Sequence, residues 1–365
     1  MDYSSYDLSN ERILITGGCG FIGHHVAKAF REARAQVTVV DNLMHNNLGD
    51  FYSDDRDLPA FTRDAYVRFL TERIDILKRG GCIIRNVDSE DHPALERVFD
   101  QFRPTRVFHM AAVSNATVSN ALPDLAFGTS LITLKNALEC VRKRVDEIAQ
   151  FIWLSSSMVY GDFPPEGVTE ESPLRPKGVY AALKLAGESL IVAYQQIYNV
   201  PYTIVRPSAL YGPRCVSRRV TSIFVENAIA GVPLRVEGDG EEKLDFTSIN
   251  DLVQGLFRVA IRREALNETF NITYGEERSI NQLIEILQQL FPGLTVERIP
   301  RDTKRPLRGT LRNDKARRLL GYESEYPLER GIPELAQWYG EVLGARAGSS
   351  EAEPVARDAV ESRRQ

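Results

Sequence analysis

RILITGGCGFIG, residues 12–23, is the stretch from which the fold can be read. Its first five residues, Arg12 to Thr16, are β-branched or apolar at most positions, the pattern of a strand buried on both faces. A glycine-rich turn follows at once. From Phe21 to Ala33 the apolar residues Ile22, Val26, Ala29 and Phe30 then recur at helical spacing. Gln36 to Asp41, QVTVVD, reads as a second buried strand. Strand, turn, helix and strand make one βαβ unit.

The turn places glycines at 17, 20 and 23, followed by Phe21 and Ile22 at the opening of the helix. Such glycines let the backbone bend tightly, approach a pyrophosphate and pack helix against sheet, while the helix amino terminus offers N–H donors to the phosphates. A glycine triple alone suits an ordinary turn equally well. This one follows a strand, opens a helix and is succeeded by a strand ending in Asp41, which is the context a dinucleotide requires. A carboxylate at that strand end accepts hydrogen bonds from ribose hydroxyls and repels a 2′-phosphate. NAD is therefore expected rather than NADP, and Asn42 and His45 beside it bring no compensating arginine. Asp88 is either a partner of the adenine amino group or a cap of the helix that begins at His92. His109 reads as a satisfied core residue because its surroundings are apolar.

Further buried strands are expected at Cys82 to Asn86, Arg106 to Met110, Phe151 to Ser155 and Thr203 to Arg206. Helical patterns separate them at His92 to Phe102, Asp124 to Arg144 and Tyr180 to Tyr198. Alternating strands and helices imply a parallel sheet, since each parallel connection needs a crossover. The expected fold is α/β, a Rossmann-like doubly wound parallel sheet with a smaller carboxyl-terminal substrate lobe. The polar stretch Asn46 to Gly80 reads as an insertion with a helix near Arg63 to Lys78. Residues 11–206 form the dinucleotide domain, to which 246–262 return, and 207–245 with 263–344 form the lobe. Residues 1–10 are expected to be a flexible start and 345–365 a disordered tail.

The chain has 365 residues, with 45 basic against 50 acidic side chains and a net charge of −5. No global basic field advertises nucleic acid or an anionic membrane. No stretch approaches the roughly 20 apolar residues of a membrane span, and the start lacks the pattern of a secretory signal. A cytoplasmic protein is expected. Cys19, Cys82, Cys140 and Cys215 stand far apart, and the five histidines show no ligand spacing, so no metal is expected.

Chemistry enters with Tyr180-Ala181-Ala182-Leu183-Lys184. Residues four apart share a helix face, so the Lys184 ammonium is expected beside the Tyr180 phenol, lowering a pKa of about 10 toward that of a usable base. Upstream, the strand Phe151 to Leu154 runs into Ser155-Ser156-Ser157-Met158-Val159-Tyr160-Gly161. Hydroxyls at the carboxyl end of such a strand point into the cleft where doubly wound sheets bind ligands.

TGGCGFIG, DN, HMAA, SSSMVYG and YAALK, in this order, resemble the extended short-chain dehydrogenase/reductase family of nucleotide-sugar epimerases and dehydratases, over roughly residues 11 to 340. The resemblance implies that Ser156 is the catalytic hydroxyl and that Tyr180 and Lys184 complete a triad. It further implies that Met110, Ala111, Ala112, Ser130 and Pro207 lie near the cofactor, with Ser130 where the family usually has asparagine. Ser114 and Ser157 would face the substrate, and a homodimer would form through the helices Tyr180 to Tyr198 and Asp124 to Arg144.

Departures from the family pattern narrow the reaction. Dehydrating members carry an Asp-Glu pair just after the catalytic hydroxyl, because eliminating water across carbons 5 and 6 needs an acid and a base there. Ser157 and Met158 occupy those positions. The pattern is then similar to that of 4-epimerases, in which Tyr180 would take the 4-hydroxyl proton and a bound 4-keto sugar would turn before reduction. A dehydratase, a dehydrogenase or an epimerase at another carbon is the alternative; a non-enzymatic NAD-binding protein would have lost the Tyr/Lys pair. Ala209 and Leu244 replace the family's asparagine and diphosphate-binding arginine. Arg214, Arg218, Arg219 and Arg305 are expected to supply the missing charge to a nucleoside-diphosphate sugar, unless they form only a solvated basic loop.

Overall fold

The computed structural model describes residues 1–44, 60–113, 116–302 and 305–344. His45, Ser114 and the tail 345–365 lie outside them. The amino-terminal half runs β1 (Arg12–Thr16), α1 (Phe21–Glu32), β2 (Gln36–Asp41), α2 (Ala60–Arg79), β3 (Ile83–Asn86), α3 (His92–Phe102) and β4 (Arg106–His109). Short helices α4 (Ala116–Ala121) and α5 (Pro123–Phe127) lead through a π-helical turn, Gly128–Ile132, into α6 (Thr133–Arg142). Then come β5 (Gln150–Leu154), α7 (Val179–Tyr198), β6 (Tyr202–Arg206) and β7 (Leu210–Tyr211). The remainder is α8 (Val220–Ala230), β8 (Leu234–Glu237), β9 (Lys243–Leu244), β10 (Thr247–Ser248), α9 (Ile249–Ile261), β11 (Glu268–Asn271), β12 (Arg278–Ser279), α10 (Ile280–Leu290), β13 (Val296–Ile299), α11 (Asp314–Leu320) and α12 (Leu328–Gly344).

Seven parallel strands form one sheet in the order β11-β6-β5-β4-β1-β2-β3. The strand order reverses between β1 and β4, and a crevice opens there beyond their carboxyl ends. β5 and β6 are buried at every residue, their apolar centres in the core and their polar members paired, Gln150 Nε2 donating to Thr203 Oγ1 at 2.7 Å and Arg206 Nη2 to Glu188 at 2.6 Å. β3 was expected to be buried and is not: it pairs only with β2 at the sheet edge, and Ile83 is 48% exposed. Helix α9 returns to the sheet and packs on α1, with Phe257 and Phe30 ring centroids 5.0 Å apart. Burying rings of this size contributes about 1.5–3 kcal/mol each.

Two expected boundaries move. The first ten residues are not a free arm, since Tyr3 and Tyr6 pack their rings on Phe257 at 5.0 and 5.1 Å. Residues 268–271, placed with the lobe by sequence, pair with β6 as the seventh strand. Four residues between short turns carry too little pattern to reveal which sheet they join.

The long helix expected from Asp124 to Arg144 runs through from Pro123 to Arg142 but widens in its middle into the π turn, which re-aims Thr129 and Thr133. Thr133 Oγ1 donates to the Thr129 carbonyl at 2.6 Å, and both residues line the cleft. The lobe has its own core, in which Phe224, Leu234, Leu283, Leu287, Ile332 and Tyr339 pack together. The inserted α2 joins it through Tyr66 and Phe69, the latter 4.8 Å from the ring of Trp338. Among the described residues no helix is long and apolar enough to cross a membrane.

Candidate active site

A cleft of about 720 Å³ lies between the carboxyl ends of the strands and the lobe, within the range of small-molecule sites. At one end the β1–α1 turn makes a cradle of backbone. Gly17 has φ +68°, and a Cβ there would meet the Ala111 nitrogen at 2.8 Å. A Cβ on Gly23 would stand 2.5 Å from Gly18 Cα. Only glycine lets the turn, the helix and the segment Met110 to Ala112 approach this closely. Gly20 caps α1 with no side-chain acceptor, leaving first-turn N–H groups available to a phosphate.

Asp41 follows at the end of β2, accepting from the Cys19 N–H at 2.9 Å through Oδ2 and from the Leu43 N–H at 2.8 Å through Oδ1. Each oxygen has lone-pair capacity left for a ribose hydroxyl. Asn42 Nδ2 donates to Asp88 Oδ2 at 3.0 Å. The cap of α3 is Asp91, whose side chain accepts from the Ala94 N–H at 3.0 Å. Asp88 is therefore free of the capping role and lines the cleft. These residues, with Phe21, Ile22 and Pro207, fit a dinucleotide laid across the sheet.

His109 is buried and sits 2.8 Å from Thr16 Oγ1 and 3.4 Å from Thr133 Oγ1. Burial holds it down to about 3, so it is a neutral structural residue.

The other end carries the hydroxyls. The three consecutive serines take three different partners. Ser155 Oγ donates to the buried Glu188 carboxylate, which also receives Arg206 Nη2 at 2.6 Å. Ser156 caps the turn Ser157–Tyr160, accepting from the Met158 N–H at 3.2 Å, and its hydroxyl lies near enough to the Tyr180 phenol to favour the phenolate. Ser157 Oγ meets the guanidinium of Arg308.

Tyr180 and Lys184 lie one turn apart on α7, both buried. Lys184 Nζ donates to the Leu154 carbonyl at 2.7 Å and stands 4.7 Å from the Trp153 ring and 6.0 Å from the Tyr180 ring. Its close approach to Trp153 is allowed by Gly187, where a Cβ would come within 2.4 Å of that ring. Burial lowers Lys184 to about 8, partly offset by Glu188. The expected influence of Lys184 on the phenol is replaced here by other groups. Burial raises Tyr180 above its ordinary value, and Arg219, the nearby Ser156 hydroxyl and Arg308 pull it back.

The arginines expected at the substrate separate into different roles. Arg214 does not line the cleft; it stacks over Trp338 at 5.7 Å and donates from Nε to His24 Nε2 at 3.2 Å. Arg218 lines the wall and pairs with Glu226 at 3.5 Å, and Arg305 at the mouth pairs with Glu237 at 3.0 Å. Arg219 lines the cleft with a buried Nε that has no hydrogen-bond partner. It immediately precedes α8, whose amino terminus has no side-chain cap. Ser130 is buried in the π turn while its neighbours Thr129 and Thr133 reach the cleft, because the widened turn rotates position 130 away.

Sequence reading passed over Arg73, Ser208 and Arg308, all of which line the cleft. Arg73 arrives from the insertion and donates from Nε to the Arg214 carbonyl at 3.1 Å. Arg308 lay within the motif KRPLRG, three residues beyond the arginine chosen from it. The spacing gave no sign of which of the two turns inward.

Comparison with known proteins places this geometry in context. The model of a family described as NAD dependent epimerase/dehydratase matches residues 13–273. A dTDP-glucose 4,6-dehydratase of Neisseria gonorrhoeae is 28% identical over 352 residues, covering 90% of this chain and 95% of that protein. A UDP-glucose 4-epimerase of Thermotoga maritima, solved with UDP-glucose, superposes with a TM-score of 0.77 at 27% identity, covering 91% of this chain and 99% of that one. A UDP-glucose 4-epimerase of Thermus thermophilus, solved with NAD, gives 0.74 at 26% identity and covers 89% and 98%.

Proposed function

Because the chain belongs to the NAD dependent epimerase/dehydratase family, we propose that it is an epimerase of nucleoside-diphosphate sugars, inverting carbon 4 through a transient 4-keto sugar. One observation carries the choice of reaction. Among the described residues that line the cleft the only carboxylates are Asp41 and Asp88, both at the dinucleotide end. Elimination of water would need an acid and a base beside the sugar. Ser157 and Met158 stand there and can provide neither.

NAD supplies the acceptor and donor of hydride, held by the β1–α1 cradle, by Asp41 and by the wall from Met110 to Ala112. Tyr180 removes the 4-hydroxyl proton, Ser156 orients that hydroxyl, and Lys184 fixes the helix face that presents the phenol. Arg219 and Arg308 favour the phenolate electrostatically, offsetting the burial that opposes it. Arg219, Arg305 and the open amino terminus of α8 receive the diphosphate. Ser114 is retained as a substrate contact and His45 as a cofactor contact on the sequence reading alone. Epimerisation restores the oxidation state of the cofactor, so it need not leave.

The outward face of α7 presents Ala182, Ala186, Ser189 and Ala193, all exposed and small enough for close helix packing. With Phe127 on α5 half exposed, this face is proposed to pair with its symmetry mate in a homodimer, and static light scattering should return twice the chain mass. The reaction is tested by incubating the protein in D2O with UDP-, GDP-, CDP- and dTDP-sugars and following the ring protons by NMR. The expected product is the 4-epimer with its carbon-5 proton retained. A 6-deoxy-4-keto sugar carrying deuterium at carbon 5 would replace this reading with dehydration.

A further inference from the structure

Arg308 is a cation held in the cleft without an anion. Its Nη2 donates to Ser157 Oγ and, at 3.0 Å, to Ser208 Oγ, two neutral acceptors. Its Nε is buried and has no hydrogen-bond partner, and among the described residues it forms no salt bridge. Glu242 and Asp245 act on it only from a distance. Its remaining accessible surface faces the cleft, where the ring of Phe163 lies 5.4 Å from the guanidinium carbon. Burying a guanidinium unpaired is costly, and the cost falls when a ligand brings the counter-charge.

Its position says which part of the ligand brings that charge. Ser157 directly follows the catalytic Ser156, and Ser208 directly follows Pro207 at the cofactor. The guanidinium is thus fastened beside the reacting centre, where in dehydrating relatives an acid and a base work on carbons 5 and 6. The diphosphate end has its own donors in Arg219, Arg305 and α8. We infer that the substrate is a nucleoside-diphosphate uronic acid, whose carbon-6 carboxylate is received by Arg308, with Ser157 and Ser208 holding the guanidinium in place. The inference rests on the nucleotide-sugar reading of the same site. With Nη2 committed to the two serines, the Nη1 amino group is left to donate a charge-assisted hydrogen bond to a carboxylate oxygen, from a guanidinium fixed in place as a flexible lysine ammonium would not be.

The test is calorimetric binding of UDP, UDP-glucose and UDP-glucuronate, and of the thymidine counterparts, to the NAD-loaded wild type and to Arg308→Gln. A charge-assisted hydrogen-bonded pair in a desolvated site predicts that wild type prefers the uronate over the neutral sugar by about 10- to 100-fold. Arg308→Gln should abolish that preference while changing the affinity for UDP or dTDP less than about twofold. Arg308→Lys should restore only part of it. Equal binding of uronate and neutral sugar by wild type overturns the inference without needing any variant. So does a parallel loss of nucleoside diphosphate in Arg308→Gln, which would assign the guanidinium to the phosphates. Failure of wild type to bind any of these nucleotides would instead remove the nucleotide-sugar reading itself.

Discussion

The two ends of the cleft are built on opposite plans. At the dinucleotide end recognition lies in backbone: Gly17, Gly20 and Gly23, a helix terminus and one carboxylate, Asp41, all within residues 16–41. At the end proposed for the sugar, long side chains from segments far apart in sequence meet, with Arg308 reaching Ser157 across 151 positions and Ser208 across 100. The first plan tolerates little change, because the absence of a Cβ is the feature the backbone approach depends on. The second is adjustable, since exchanging one arginine alters the ligand without touching the sheet. A family that keeps one cofactor and varies its sugars is what such a division of labour allows.

This contrast can be broken most directly between the ends, at Tyr180. Tyr180→Phe should reduce turnover by about 10³-fold while leaving NAD content unchanged, as measured by NMR assay and by absorbance of released cofactor. Intact turnover would remove the phenol from the chemistry. At the dinucleotide end, Gly17→Ala introduces a Cβ at φ +68° against the Ala111 nitrogen. Strain of about 1–3 kcal/mol should weaken NAD binding by about 10- to 100-fold, read by titration of the cofactor-free protein. Wild-type affinity would show that the turn does not need its glycine.

At the sugar end, replacing Arg218 and Arg219 together by alanine should raise KM for the nucleotide sugar about 10-fold with NAD affinity kept. An unchanged KM would dismiss Arg219 as a diphosphate ligand. The smallest effect concerns Lys184. Burial lowers it from 10.5 to about 8. Between those values the unfolded chain holds a proton that the folded chain has lost, so stability rises with pH across that window and the penalty is fully felt below pH 8. Relative to Lys184→Met, wild type should gain about 2–4 °C in Tm from pH 8 to 10.5. A constant difference would mean that Lys184 titrates normally.

Much of the molecule was legible without coordinates. Strands β1 and β2 and helix α3 fall at the residues their periodicity marks, and the glycine turn, Asp41, Ser156, Tyr180 and Lys184 all line one cleft. Each of those features is local: a strand, its turn and its helix are read within a dozen residues, and Tyr180 and Lys184 share a face through helix geometry alone. Short or long-range features escaped. β11 is four residues long, α12 carries Pro333 in its interior where a helix is expected to stop, and the π turn that withdraws Ser130 leaves no periodic trace.

The sequence by itself therefore determined the fold class, the dinucleotide and the shared helix face of Tyr180 and Lys184, because those follow from hydrogen bonding and periodicity along neighbouring residues. Only the tertiary structure decided which arginine is ion-paired, which stacks on a ring and which faces the cleft with neutral hydroxyls in place of a counter-ion. That choice depends on side chains six bonds long meeting across more than a hundred residues, and no spacing in the chain encodes where their tips arrive.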